Sequence, residues 1–190
     1  MGFDAAYRYG RPPWDIGRPQ PAIVELAEQG AIQGAVIDVG CGTGDNALYL
    51  ASLGLDVTGV DAAPTAIERA RGKAASQGIE AAFHVVDALA LGVLGRPFDT
   101  AIDCGLFHTF ADPDRPRFAR SLRDVLAPGA RYFLLCFSEH EPGAWGPRRV
   151  SQAEIRATFA TGWSVDAIVE SSFAATFGSA AAWLASLTRT

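Results

Sequence analysis

The sequence has few cysteines, no long apolar run and no cluster of basic residues, and each absence removes a class of protein. Its three cysteines, Cys41, Cys104 and Cys136, are odd in number, far apart and without a C-x-x-C pair, so they encode neither a disulfide framework nor a zinc knuckle. That usage fits a reducing, cytoplasmic setting, and no bound metal is expected. No stretch reaches the roughly 18 consecutive apolar residues that a membrane span requires, and the opening residues lack the apolar core of a secretion signal. Met1-Gly2 begins like a myristoylation signal, but position 6 is alanine where that pattern needs Ser or Thr. The formal net charge is -5 and the Lys and Arg residues are scattered, which leaves no electrostatic footprint for nucleic acid or an anionic membrane. Internal repeats and low-complexity linkers are also missing.

What is present is the composition of a chain that folds alone, with 49% apolar and 19% charged residues over 190 positions. One core is expected, so residues 1–190 are taken as a single domain, as a monomer or homodimer. From residue 34 onward, short β-branched runs alternate with helical patterns, the signature of βαβ units on a parallel sheet. Strands are expected at residues 35–39, 55–61, 79–86, 98–104 and 130–137. Helices are expected between them, stopped by Gly54, by Gly78 and by Pro128-Gly129. Pro64 suits the first turn of one helix, and Ser151 with Glu154 forms the S-x-x-E spacing of a capping box for another. The last segments, 163–173 and 180–190, alternate like strands and leave no room for crossover helices, so they read as a closing antiparallel pair. A helix is expected over residues 21–30, preceded by a Pro- and aromatic-rich arm, residues 1–20, lying over the domain.

The sharpest motif is Asp38-Val39-Gly40-Cys41-Gly42-Thr43-Gly44, directly after a buried strand and directly before a helix. Glycines there allow a tight turn and a close approach by a ligand. A dinucleotide fingerprint would place its third glycine at position 45, which is Asp45. Asp38 and Asp45 would then face a diphosphate, whereas a ligand bearing an ammonium and a sulfonium would be attracted. Asp61 ends the second strand and is a candidate acceptor for ribose hydroxyls. Asp87 ends the third, where its carboxylate suits an adenine amino group and the Ala88 N–H a ring nitrogen.

In order and spacing, Asp38-x-Gly40-x-Gly42-x-Gly44, Asp61 and Asp87-Ala88 resemble the class I S-adenosylmethionine-dependent methyltransferases. Residues 13–21 and Leu106-Phe107-His108 are similar to a narrower group, the thiol, thiopurine and halide methyltransferases and the small quinone or heterocycle methyltransferases. The resemblance implies a doubly wound α/β sheet of seven strands, mostly parallel with an antiparallel last strand, in the order 3-2-1-4-5-7-6. It implies S-adenosylmethionine as cofactor and S-adenosylhomocysteine as product. Cofactor contacts are then expected from Asp38, Gly40, Cys41, Gly42, Gly44, Asp61, Ala62, Asp87 and Ala88, from Cys104 and Gly105 near the methionine part, and from Trp14 above the cofactor or acceptor.

Methyl transfer to an activated carbon needs alignment more than acid–base chemistry. His108 follows strand four and is the candidate base for a hydroxyl acceptor; for a thiol or halide it would only shape the pocket. Tyr9, Phe107, Phe110 and Trp145 are expected to bind the acceptor, and flat apolar walls suit a flat molecule, a quinone, phenol or nitrogen heterocycle, with a small thiol next. Macromolecular acceptors rank low. The alternatives are an NAD-dependent oxidoreductase on the same kind of sheet and a non-catalytic S-adenosylmethionine sensor.

Overall fold

The structure is a computed structural model and describes residues 2–190. Its centre is one sheet in the order β3-β2-β1-β4-β5-β7-β6. The first five strands are β1 (Ala35–Val39), β2 (Asp56–Asp61), β3 (Ala82–Val85), β4 (Phe98–Cys104) and β5 (Leu126–Phe137), all parallel to one another. β6 (Trp163–Ala175) and β7 (Gly178–Arg189) form a long antiparallel hairpin, and β7 inserts beside β5. This is the order implied by the resemblance. β3 is shorter than the strand expected over 79–86, as befits an edge strand with a single neighbour, β2.

Among the described residues, six α-helices flank the sheet: α1 (Phe3–Arg8), α2 (Pro21–Glu28), α3 (Asp45–Ser52), α4 (Pro64–Gln77), α5 (Arg115–Val125) and α6 (Gln152–Thr158). The punctuation residues act as expected. Pro64 sits in the first turn of α4, and Gly78 closes that helix in the left-handed region at φ 64°. α1 was expected only as an ordered arm. Phe3 and Tyr7 lie one helical turn apart on it, and Tyr7 is buried, so a single short helix suffices to dock the arm.

Side chains alternate across β1. Val36 packs with Leu26, Leu48, Leu50, Ile67, Phe83 and Phe133 on one face, while Ile37 and Val39 pack with Phe107, Phe118, Leu122, Tyr132 and Phe159 on the other. The five parallel strands therefore end at a common edge, where Val39, Asp61, Val85, Cys104 and Phe137 terminate. Among the described residues, no helix is long and apolar enough to cross a membrane.

The capping box at α6 is complete. The Ser151 hydroxyl accepts from the Glu154 N–H at 3.2 Å, and the Glu154 carboxylate accepts from the Ser151 N–H at 2.8 Å. Ser151→Ala removes one half of it, which is expected to cost about 1 kcal/mol. The melting temperature should fall by about 2–4 °C in a thermal melt, with cofactor affinity unchanged.

Candidate active site

The strand-to-helix turn after β1 brings three carboxylates together at the sheet edge. Asp38 is almost fully buried, and its Oδ2 has no hydrogen-bond partner among the described residues. Burial, and then the neighbouring charges of Asp103 and Asp61, push its pKa up to about 8, against the pull of an N–H from Ala47 in the first turn of α3. Asp61 accepts from the Gly42 N–H at 2.9 Å with Oδ2 and from the Ala63 N–H at 2.8 Å with Oδ1. Each of its oxygens keeps a further lone pair for a ligand hydroxyl. Burial raises its pKa, and those backbone donors partly offset the rise.

The third carboxylate, Asp103 on β4, was not singled out in the sequence. It is fully buried and accepts from the Leu106 N–H at 2.8 Å, the Phe107 N–H at 3.1 Å and the Tyr132 hydroxyl at 3.2 Å. Burial pushes its pKa up to about 7. The signal available was a charged residue inside an otherwise apolar strand, Phe98–Cys104, which is costly unless it is partnered or used.

Asp45, by contrast, does not face the site as a free charge. Lys73, the single lysine of the chain, binds its Oδ1 at 2.6 Å and the Thr43 hydroxyl at 2.7 Å. The cradle therefore rests on Asp38 and Asp61, with the buried Asp103 near enough for its charge to act on Asp38, a correction to the pair Asp38 and Asp45. The glycine loop is also packed closely by the protein itself. A Cβ at Gly40 would lie 2.9 Å from Leu106 Cβ, and one at Gly42 would lie 2.7 Å from the Tyr7 hydroxyl. Both positions are in the left-handed region, so the protein's own side chains already demand glycine there. Gly44, also left-handed, caps α3.

The structure brings Asp38, Gly40, Cys41, Gly42, Gly44, Asp61 and Ala62 together in the β1 and β2 turns, with Cys104 and Gly105 beside them at the end of β4. Asp87 is exposed and caps a 3-10 turn over Ala88–Leu94 through the Leu89 N–H, at 2.9 Å. Trp14 is exposed on one side and donates from Nε1 to the Tyr7 hydroxyl at 2.8 Å, which carries its ring to the glycine loop. Tyr9, just past the end of α1, is 79% exposed, and no contact joins it to the aromatic wall among the described residues.

The 3-10 turn Phe107–Thr109 separates two neighbours that were expected to act together. Phe107 is fully buried against Phe118, Phe159 and the Arg115 guanidinium, and Phe110 stacks on Phe118 at 4.9 Å. Both belong to the core beneath α5, which is a correction to their expected place in an acceptor wall. His108 turns the other way, toward Phe137 at 5.0 Å and Phe173 at 6.0 Å between ring centres. Trp145 continues that wall, 5.7 Å from Phe137 and 4.7 Å from Phe177. Phe173 and Phe177 were missed because their place depends on how the β6–β7 hairpin closes over the edge.

An unpartnered buried carboxylate oxygen is costly, and a cationic ligand group relieves that cost. The cradle therefore fits the ammonium and sulfonium of S-adenosylmethionine and suits a diphosphate poorly. Comparison with known proteins agrees. Residues 36–129 match the family described as "Methyltransferase domain". The chain is 41% identical over 176 residues to 2-heptyl-1-hydroxyquinolin-4(1H)-one methyltransferase of Mycobacteroides abscessus, covering 87% of this chain and 78% of that protein. The chain belongs to the class I S-adenosylmethionine-dependent methyltransferases. This methyltransferase is also 30% identical over 155 residues to probable thiol methyltransferase 2 of Arabidopsis thaliana, covering 80% of this chain and 69% of that one. A structure solved in work on the conversion of a disulfide bond into a thioacetal group during echinomycin biosynthesis superposes with a TM-score of 0.91 at 40% identity, covering 98% of this chain and 90% of that one. S-adenosylmethionine is the cofactor, S-adenosylhomocysteine the product, and the acceptor a small molecule.

Proposed function

We propose that this methyltransferase acts on a heteroatom of a flat aromatic or heterocyclic acceptor, by in-line displacement. The observation that carries the reading is the aromatic wall at the carboxyl edge, in which Phe137 and Phe173 pack on His108 and Trp145 and Phe177 extend the row from Phe137. Flat rings pack well between such faces, and a water-poor wall favours attack by a heteroatom stripped of its hydration.

Asp38 would hold the amino group of the cofactor, Asp61 its ribose hydroxyls, and the Asp87-Ala88 corner its adenine. When bound, S-adenosylmethionine supplies a methyl group activated by positive sulfur. The chain's own contribution is to hold the acceptor beside Gly105, in line with that methyl, and to keep water away. The quinolone named for the Mycobacteroides relative is a molecule of the proposed class. A thiol acceptor is the second reading, supported by the similarity to the Arabidopsis protein.

A panel of hydroxyquinolones, naphthoquinols, phenols and aliphatic thiols, followed by S-adenosylhomocysteine release, tests the proposal. The ring acceptors are expected to show kcat/KM at least about tenfold above that of the aliphatic thiols. Turnover confined to aliphatic thiols would overturn the ring reading in favour of the second.

A further inference from the structure

We propose that His108 meets the acceptor as a hydrogen-bond donor through its Nε2–H and takes no proton from it, so that this methyltransferase serves acceptors already ionised near neutral pH. This rests on the ring-acceptor reading above and adds to it a requirement for acidity.

The argument begins at the other ring nitrogen. His108 Nδ1 accepts from the Phe137 backbone N–H at 3.1 Å. A neutral imidazole has one nitrogen with a proton and one with a lone pair, so the proton of His108 is on Nε2. A general base needs a free lone pair directed at the substrate. On His108 the lone pair is engaged by β5, and the nitrogen that remains carries hydrogen.

The surroundings hold the ring in that state. His108 is buried, and burial followed by the cations Arg115 on α5 and Arg149 in the loop before α6 brings its pKa down to about 3. Phe137 of β5 and Phe173 of β6 cover its faces without adding charge. Among the described residues Nε2 has no hydrogen-bond partner, yet it is not sealed from solvent as Asp38 Oδ2 is. The ring edge comes up to Gly105, where an added Cβ would lie 3.4 Å from His108 Cε1, the carbon bonded to Nε2. The donor is thus close to the end of β4, where the acceptor is placed.

The neighbouring carboxylates are turned to other donors. Glu139 accepts from Trp183 Nε1 at 2.5 Å, Glu141 from the Ala181 N–H at 2.6 Å, and Asp103 from the three donors described above. The acceptor's proton therefore goes to bulk water before docking. The acceptor's lone pair forms the new bond to the methyl carbon, and the electron pair of the broken carbon–sulfur bond stays on sulfur. An anion and a cation give two neutral products, and no proton remains for the protein to take up. Until then the Nε2–H holds the anion in place, and an N-hydroxy heterocycle or an electron-poor phenol meets the acidity requirement.

Two measurements test this. In 15N-histidine-labelled protein without ligands, the His108 ring, assigned by its loss in His108→Gln, is expected to show a protonated Nε2 and an unprotonated Nδ1 that do not change between pH 5 and 9. A protonated Nδ1, or titration within that range, would overturn the proposal. Second, kcat/KM is followed against pH for nitrophenols or N-hydroxy heterocycles of graded acidity. The rising limb should move with each acceptor's own pKa. His108→Ala should lower kcat/KM by about 10- to 100-fold without moving the limb, and His108→Gln, which keeps an N–H donor, should recover most of the loss. A limb fixed at one pH for every acceptor and abolished in His108→Ala would establish a base and overturn the proposal. If no ring acceptor turns over, the ring reading falls, and the same limb test on thiols of graded acidity still decides the role of His108.

Discussion

Asp61→Ala is expected to weaken S-adenosylmethionine binding by about 100-fold or more and to lower the melting temperature in the same variant. The carboxylate has two duties. Toward the ligand it is placed to accept from two ribose hydroxyls, and hydrogen bonds to a charged group contribute about 1.5–3 kcal/mol each. Loss of both reaches about two decades in affinity at the lower value, since about 1.4 kcal/mol is a factor of ten. Toward the protein it accepts from the Gly42 and Ala63 N–H groups. Unsatisfied buried donors cost about 1–3 kcal/mol each, and a loss of about 2 kcal/mol in total lowers the melting temperature of a domain this size by about 4–8 °C. Calorimetric titration with S-adenosylhomocysteine and a thermal melt read the two effects separately. Unchanged affinity would remove Asp61 from the site.

Asp38→Asn is expected to act in opposite directions on binding and on stability. The carboxylate is of nearly the same shape as the amide, so the substitution removes charge with little change in packing. Affinity should fall by about tenfold or more, the value of one charge-assisted bond, while the cofactor-free protein becomes more stable at pH 8. The sign follows from linkage. The folded-state pKa of Asp38 lies at about 8 against an ordinary 3.8, so between those values the native state binds the extra proton. Its stability then falls as pH rises through that window and levels off above it. Asp103, raised to about 7, adds a second slope of the same sign, which remains in Asp38→Asn. Binding has the reverse dependence. The ionised carboxylate receives the cation, so affinity should rise between pH 6 and 7.5, below the range where an α-amino group loses its own proton. The variant should lose most of that rise. Denaturant melts and cofactor titrations at pH 5, 6, 7 and 8 check both, and a variant whose stability slope and binding slope match those of the original chain would refute the assignment.

The sheet order and the cofactor edge were legible because they rest on local signals. A buried run, a glycine turn and a helix start follow one another within residues 35–52, and the acids at the ends of β1, β2 and β3 are readable by position. What escaped depends on contacts between distant segments. Asp45 looks like free negative charge until α4 brings Lys73, 28 positions later, onto it. Phe107 and His108 are adjacent in sequence, and only the 3-10 turn, held by Asp103 accepting from Leu106 and Phe107, sends one into the core and the other to the cleft. Tyr7 and Tyr9 are two positions apart, yet one is buried and the other exposed. The contribution of β6 to the acceptor wall depends on the register of the hairpin, including the irregularity between Val165 and Ala167.

The arm and the hairpin are also tied together at two points. The Gln20 side chain donates to the Ala174 carbonyl and accepts from its N–H, and the Thr176 N–H donates to the Pro13 carbonyl. Residues 13–20 thus serve as the missing neighbour for the outermost strand at its far end. Through Pro13 and Gln20 the tip carrying Phe177 is fastened to the segment that carries Trp14, so roof and side wall are built as one connected piece.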